Sequence, residues 1–476
     1  MSAASDQKIS RLALTAMVVG SMVGAGIFSI PARFGAATGP FGAIISWLIA
    51  GGGMLMLAFV FQSLAMRKPE IDTGIYGYAT AGFGNYAGFI AAFGFWAGTC
   101  LGNTTYFILI KSTIGAVVPM FGDGNTPMAV FFSSIILWAV HFMILRGIKE
   151  AAFINQVVTV AKIIPLILFV IIMIFAFQKD MFVASFWGGG SYSFADLFAQ
   201  VRSTMLVTVF VFIGIEGASV YSRFAKKRED VGWATVMGFI GVLCLLVMIT
   251  LLPYGVMLRP ELAGLRQPSM AGVLSYVVGP WGAWFVSIGL IVSVLGAYLA
   301  WSLLAAEVLF SAAKSKLVPQ FLARENKNGV PVAALWITNI LVQVFLLSTM
   351  FAQEAFNLAL DMTSAMTLIP YVLVAAYALK LTLKRETYAA DETSLSRDMK
   401  IAGVATLYAL FMLFSGGFKH ILLACILFAP GSIMFIMAQR EQGNTVFNSA
   451  EKSLFIAMTI GAIVGVIALA TGQITI

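Results

Sequence analysis

Four ionisable residues lie inside long apolar runs of this 476-residue chain: Lys162 in VTVAKIIPLI, Glu216 in FVFIGIEGAS, Glu307 in WSLLAAEVLF and Asp361 in NLALDMTSAM. A charge at membrane depth costs several kcal/mol unless it is paired or hydrated, so each is a candidate for binding, gating or coupling. Each also has a plain structural alternative. Glu216 can cap amides freed in its own stretch, where Gly214 and Gly217 flank it. Lys162 can carry a proton or serve as a fixed cation. Glu307 and Asp361 can attract a basic substrate, or pair with a Lys or Arg near a helix end.

A second glycine-rich interruption, GSMVGAGIF, runs from Gly20 to Phe28. A helix broken at this depth frees amide N–H groups, which suit a carboxylate, and carbonyls, which suit an ammonium. An α-amino acid carries both groups on one carbon. Taken alone, Gly20-x-x-x-Gly24 reads as a helix-packing motif. Two interruptions, one carrying a glutamate, point instead to irregular backbone lining a substrate cavity.

The elements that must position these residues are membrane helices. The chain is 60% hydrophobic and 11% charged, with a mean hydropathy of +0.94, so its solvent is largely lipid. The apolar runs are long, which favours α-helices over a β-barrel. Spans are expected near 12–30, 40–64, 84–115, 128–146, 154–177, 199–222, 232–255, 283–312, 332–351, 356–380, 401–417, 420–438 and 454–472, thirteen in all. Spans 11 and 12 form a tight hairpin at SGGFKH. The two interruptions fall in spans 1 and 6, at matching places in successive five-span blocks.

With residues 1–11 in the cytoplasm, 21 of the 29 lysines and arginines fall on the cytoplasmic side, including Lys8, Lys149, Arg223, Lys226 and Lys227. Seven fall outside, Lys111 among them, and Lys162 lies within a span. This asymmetry sets the orientation and explains the net charge of +8 without nucleic acid. The C-terminus is then periplasmic, with span 13 an appendix to a twelve-helix body. The polar start, Met1 to Ser10, leads into a retained span rather than a cleaved leader. Glu70 and Asp72 shape a cytoplasmic loop. The three cysteines read as buried small hydrophobes. His141 reads as a packed helix residue and His420 as exposed in the hairpin. No nucleophile–base pair, metal-ligand spacing or filter loop is present, so neither an enzyme nor a channel is expected, and no metal or cofactor.

The motifs GSMVGAGIFSIP, GIYGYATAGFG, FWAGTCLGN, FVFIGIEGASV, GAYLAWSLLAAE, LARENKNGVP and TLIPY resemble those of the amino acid–polyamine–organocation superfamily, and within it the bacterial basic amino acid/polyamine antiporters, over about residues 10–440. The resemblance implies an all-α LeuT-type fold: inverted repeats over 12–177 and 199–384, broken helices 1 and 6, a hairpin over 401–438 and an extra helix over 454–472. It implies that the amides of Ala25 and Gly26 meet a substrate carboxylate. Carbonyls near Ser21, Met22, Phe210 and Ile213 would meet the amino group. Asn103, Tyr106, Trp301 and Thr363 would hold the side chain, with Trp301 giving a cation–π face. Glu216 and Tyr371 take gating roles, and Lys162 stands where proton-coupled members carry a lysine in place of sodium.

Two positions depart from the arginine/agmatine pattern, Ala25 replacing a serine and Phe210 a tryptophan. The expected function is exchange of basic amino acids across the bacterial inner membrane by alternating access, arginine in and ornithine out. Lysine/cadaverine or histidine/histamine exchange, proton symport through Lys162, and a homodimeric state stay open.

Overall fold

The computed structural model describes residues 11–475, except 72, 148–150, 190–192, 217–227, 353 and 389–391. The expected second half of span 6, to residue 222, falls outside them, as do Lys8, Asp72, Lys149, Arg223, Lys226 and Lys227. Among the described residues the regular structure is helical, with one isolated bridge, Glu325 to Pro331.

Span 1 is broken. Arg11–Met22 stops, Gly24 takes an extended conformation, and a 3-10 turn, Ala25–Ser29, leads into Ile30–Ala37. Pro31 sits in the first turn of that last piece, where its missing N–H breaks no intrahelical bond. Span 2 is Pro40–Arg67, started by Pro40 and ended by a basic residue that suits the carbonyl end of the helix. Spans 3, 4 and 5 are Asn85–Gly115, Pro127–Leu145 and Ala151–Ala176. Span 6 begins as Phe194–Phe210 and turns out of helix through 211–216. Spans 7 to 10 are Arg228–Leu251, Pro280–Lys314, Val332–Ser348 and Ala355–Leu383. Spans 11 to 13 are Glu392–Ser415, Gly417–Glu441 and Ser449–Ala470.

Nine helices among the described residues are long and apolar enough to cross a membrane. Spans 1, 3, 5 and 6 are not among these nine. Spans 1 and 6 are interrupted, and of span 5 the stretch Ala161–Ala176 counts as a shorter apolar helix. Span 3 is long enough, but it carries Gly, Thr and Asn because nearly every residue from Tyr86 to Thr113 is buried in protein.

The chain divides into two compact units. The first comprises residues 1–74, 162–286 and 374–411, and so holds spans 1, 2, 6 and 7. The second comprises 75–161, 287–373 and 412–476, and holds spans 3, 4 and 9 with most of span 8. Spans five apart therefore share a unit, and the division passes through spans 5 and 10, at Lys162 and Val374.

Within the first unit, Trp47 of span 2 donates from Nε1 to Thr250 of span 7 at 3.0 Å and stacks on Phe34, ring centroids 5.3 Å apart. Within the second, glycines at four-residue intervals on span 3 admit span 10. A Cβ on Gly94 would stand 3.1 Å from the Met366 carbonyl, and one on Gly98 3.0 Å from Thr367 Oγ1. Span 13 packs along span 12, and Glu451 at its start accepts from the Tyr86 amide at 3.2 Å.

Three surface expectations change. Lys111 is fully buried in span 3, not on an outer loop. His420 is half-buried and bonds the Gly416 carbonyl of its own helix turn at 2.6 Å. Cys100 is buried but Cys244 is exposed on a membrane helix.

Candidate functional site

In the first unit the two interruptions lie against each other. Ser21 Oγ donates to the Gly214 carbonyl at 3.1 Å. Gly214 has φ +110, and a Cβ there would collide with the Ser21 carbonyl oxygen. A Cβ on Gly26 would collide with the Phe210 ring. Only glycine meets both demands at Gly214, a left-handed backbone and a flush approach. Met22, Ala25, Gly26 and Phe210 are buried, while Ser21 and Ile213 are half-buried. The 3-10 turn opens at Ala25, so the Ala25 and Gly26 amides have no carbonyl one turn earlier in their own helix.

Two of the intramembrane ionisable groups meet these breaks. Glu216 accepts from the Gly214 N–H through Oε2 at 3.1 Å, which is the capping contact open to it from sequence. Lys162 donates from Nζ to the Gly20 carbonyl at 2.8 Å and to the Val23 carbonyl at 3.0 Å. A cation there offsets the negative end of Arg11–Met22.

In the second unit, Asn103 of span 3 is fully buried and donates from Nδ2 to Ser302 Oγ at 3.4 Å. Its Oδ1 is buried without a hydrogen-bond partner. Trp301, adjacent to Ser302 on span 8, is half-buried. Thr363 of span 10 is buried, with Cγ2 facing Gly102 and its hydroxyl donating to the Ala359 carbonyl at 2.7 Å. Thr363 can therefore still accept but has given its proton away. Tyr106 and Tyr371 are buried on spans 3 and 10, and Asp361 is half-buried. Glu307 is exposed and accepts from Ser311 of the next turn at 3.4 Å.

The second unit thus presents Asn103 Oδ1, a buried acceptor without a partner, in an apolar and hydroxyl setting. Such a group binds a donor, and a cationic donor most strongly. Ser302 was not legible as a partner from sequence, because it lies 199 positions from Asn103.

The model of the family described as Amino acid permease matches residues 9–461. An arginine/ornithine antiporter of Pseudomonas aeruginosa is 52% identical over 482 residues, spanning 100% of both chains. An L-lysine transport protein of Corynebacterium glutamicum is 39% identical over 491 residues, 100% of this chain and 97% of that protein. Among solved structures, MhsT in complex with L-phenylalanine is similar with a TM-score of 0.58 at 14% identity, over 86% of this chain and 99% of that one. At that identity the likeness is one of fold.

Proposed function

The chain belongs to the amino acid permease family and has the LeuT-type fold, and from that premise we propose that it exchanges basic amino acids by alternating access, arginine entering as ornithine leaves. The observation that carries the reading is the buried, unpartnered Asn103 Oδ1 in the helix turn packed on Gly102 and Thr363. A guanidinium or ammonium end supplies the donor this oxygen lacks. Whole-chain identity of 52% to an arginine/ornithine antiporter supports the substrate pair. Trp301 serves as the cation–π face, and Tyr106 and Thr363 complete the pocket wall.

In the first unit, the Ala25 and Gly26 amides take the carboxylate. The carbonyls of Met22, Phe210 and Ile213, beside Ser21, take the α-amino group. Ala25 offers no hydroxyl, so this recognition rests on backbone. Lys162 acts as a fixed cation that holds the span 1 break, a reading its two carbonyl bonds support. Glu216 and Tyr371 act in gating. Glu307 and Asp361 contribute negative charge near the path. The repeat boundaries 12–177 and 199–384 are supported by the sharing of units between spans five apart. The N-terminus is cytoplasmic and the C-terminus periplasmic, supported by the distribution of basic residues.

The deciding experiment is uptake of labelled arginine into proteoliposomes holding ornithine, arginine or nothing. Uptake that needs internal ornithine or arginine is the expected result, and equal uptake into empty vesicles overturns obligate exchange. Lysine as counter-substrate is the second reading, favoured by the 39% identity to a lysine transport protein. Competition by lysine, agmatine, putrescine, histidine and glutamate against arginine separates the two.

A further inference from the structure

The LARENKNGVP motif between spans 8 and 9 takes no part in the proposed function. In the second unit it caps the end of span 4. Asn326 Nδ2 donates to the Leu145 carbonyl at 2.8 Å, and Asn328 Nδ2 donates to the Leu145 and Arg146 carbonyls at 3.3 and 3.0 Å. The last turn of a helix leaves such carbonyls open. Asn326 Oδ1 accepts from the Asn328 and Val330 amides at 2.9 and 3.0 Å, so its own side chain fixes the loop. Deeper along the same two helices, Asn339 Nδ2 of span 9 lies 2.9 Å from His141 Nδ1 of span 4. The end of span 4, the start of span 9 and the loop before it therefore form one joint.

Arg146, Arg324 and Lys327 stand on this joint, all exposed. Among the described residues none of these cations has a side-chain hydrogen bond or an ion pair. Glu325, the acid beside Arg324, is exposed as well, and it meets Pro331 through backbone without pairing to either basic neighbour. Four residues inward along each helix the surface turns apolar. Phe142 and Trp336 are exposed there, ring centroids 6.2 Å apart, and Trp336 packs edge-on against His141 at 4.3 Å. The Trp336 indole N–H has no protein partner among the described residues, whereas Trp138 gives its own to Gln343 at 3.1 Å. An exposed tryptophan with a free N–H near the end of a membrane helix marks the depth of the headgroups. The cations just beyond it stand at phosphate level, and the apolar face leads from them toward the acyl chains.

We propose that Arg146, Arg324 and Lys327 form a docking surface for the phosphodiester headgroup of an anionic phospholipid, whose chains lie along Phe142 and Trp336 and which ties the end of span 4 to the loop before span 9. A zwitterionic headgroup brings its own ammonium beside the phosphate, and unpaired cations repel it. An anionic headgroup brings none. A soluble phosphate carries the charge but has no chain for the apolar face. A basic residue that only orients a membrane helix needs no basic neighbour, yet here two segments distant in the chain bring their cations to one joint, held there by Asn326 and Asn328. The inference stands on the membrane helices and goes beyond the exchange reading.

The test is thermal melting of the purified full chain in neutral detergent, with phosphatidylglycerol or phosphatidylcholine added to the micelles. Wild type is expected to be stabilised at a lower mole fraction of phosphatidylglycerol than of phosphatidylcholine. A basic residue near an anionic surface contributes about fivefold in binding. The variant Arg146→Gln/Arg324→Gln/Lys327→Gln is therefore expected to need more than about tenfold more phosphatidylglycerol for the same rise in melting temperature. Lys384→Gln/Arg385→Gln/Lys400→Gln removes equal charge from exposed positions of the first unit and is expected to respond as wild type. If the first variant does not accumulate, Lys327→Gln, at an exposed loop position, decides alone through a shift of about fivefold. Equal responses of wild type to the two lipids overturn the proposal, as does a phosphatidylglycerol response that the Arg146, Arg324 and Lys327 substitutions leave unchanged. An equal loss in the first-unit variant assigns the effect to net charge, and glycerol phosphate acting as well as the lipid assigns it to a free anion; either overturns the docking surface. The arginine exchange test is separate, and its outcome does not enter this one.

Discussion

Lys162 reaches from span 5 into the break of span 1, its ammonium 2.8 Å from the Gly20 carbonyl. A second bond, to the Val23 carbonyl, brackets the residues where the helix opens. Lys162→Ala leaves both carbonyls without a charged donor, and hydrogen bonds to charged groups contribute about 1.5–3 kcal/mol each. Arginine exchange is expected to fall by more than about tenfold at matched protein content, with Lys162→Met equally impaired. Wild-type exchange in either variant shows that the break holds without the cation.

Gly214→Ala is expected to destabilise the fold by about 2 kcal/mol or more, because strained φ alone costs about 1–3 kcal/mol and the new methyl also meets the Ser21 carbonyl. Gly241→Ala is the control, since nothing lies within 4 Å of a Cβ there. Thermal melts of the detergent-solubilised proteins compare them. Equal melting temperatures mean that the two breaks can separate without loss.

Much of this architecture was legible because membrane helices announce themselves by length and composition. The span 1 break was legible too, since Gly20, Gly24 and Gly26 crowd into one stretch. Span 3 shows where hydropathy misleads. Its Gly94, Gly98 and Gly102 stripe dilutes the apolar signal because that face meets span 10 and not lipid. The His141–Asn339 pair was invisible, its members 198 positions apart. Lys111 was misread for a related reason. A lysine near a helix end is normally solvated, and here the turn around Gly124 covers it, a Cβ on that glycine standing 3.2 Å from Lys111 Cβ.

Trp301→Leu is expected to weaken binding of cationic substrates while expression holds. A desolvated cation–π contact is worth about 2 kcal/mol, which corresponds to roughly thirtyfold in affinity. Arginine affinity measured by competition reads this directly. An unchanged value removes Trp301 from the proposed pocket.

Glu216→Ala separates gating from binding. The carboxylate holds the Gly214 N–H at 3.1 Å, so its loss acts on how the span 6 break rearranges. Turnover is expected to slow by about tenfold, with a smaller change in arginine affinity, because one charge-assisted hydrogen bond is lost. Exchange at the wild-type rate removes Glu216 from the transport cycle.

The C-terminal end of span 2 gives a pH prediction. Arg67 pairs with buried Asp398 at 3.0 Å, and the Tyr388 hydroxyl donates to the same carboxylate oxygen at 3.0 Å. Beside them Lys68 donates to Glu386 at 2.7 Å. That hydrogen bond is the main reason Glu386 is held below its usual 4.5 and Lys68 is raised above its usual 10.5. A lowered carboxylate contributes stability above 4.5 that is lost as the pH falls through its folded value. A raised lysine contributes below 10.5 and loses that contribution as the pH rises through its folded value. Burial, with help from Asp398, pushes Tyr388 up to about 12, so its neutral form persists across the same window. The pair is therefore constant in its effect near neutrality and fails first on the acid side. Because Glu386 is about half exposed, its worth is below about 1 kcal/mol. Glu386→Gln should lower the melting temperature slightly at pH 7, and the difference from wild type should vanish once the pH is well below 4.5. A difference that persists into acid would mean that Glu386 acts by packing and not by charge.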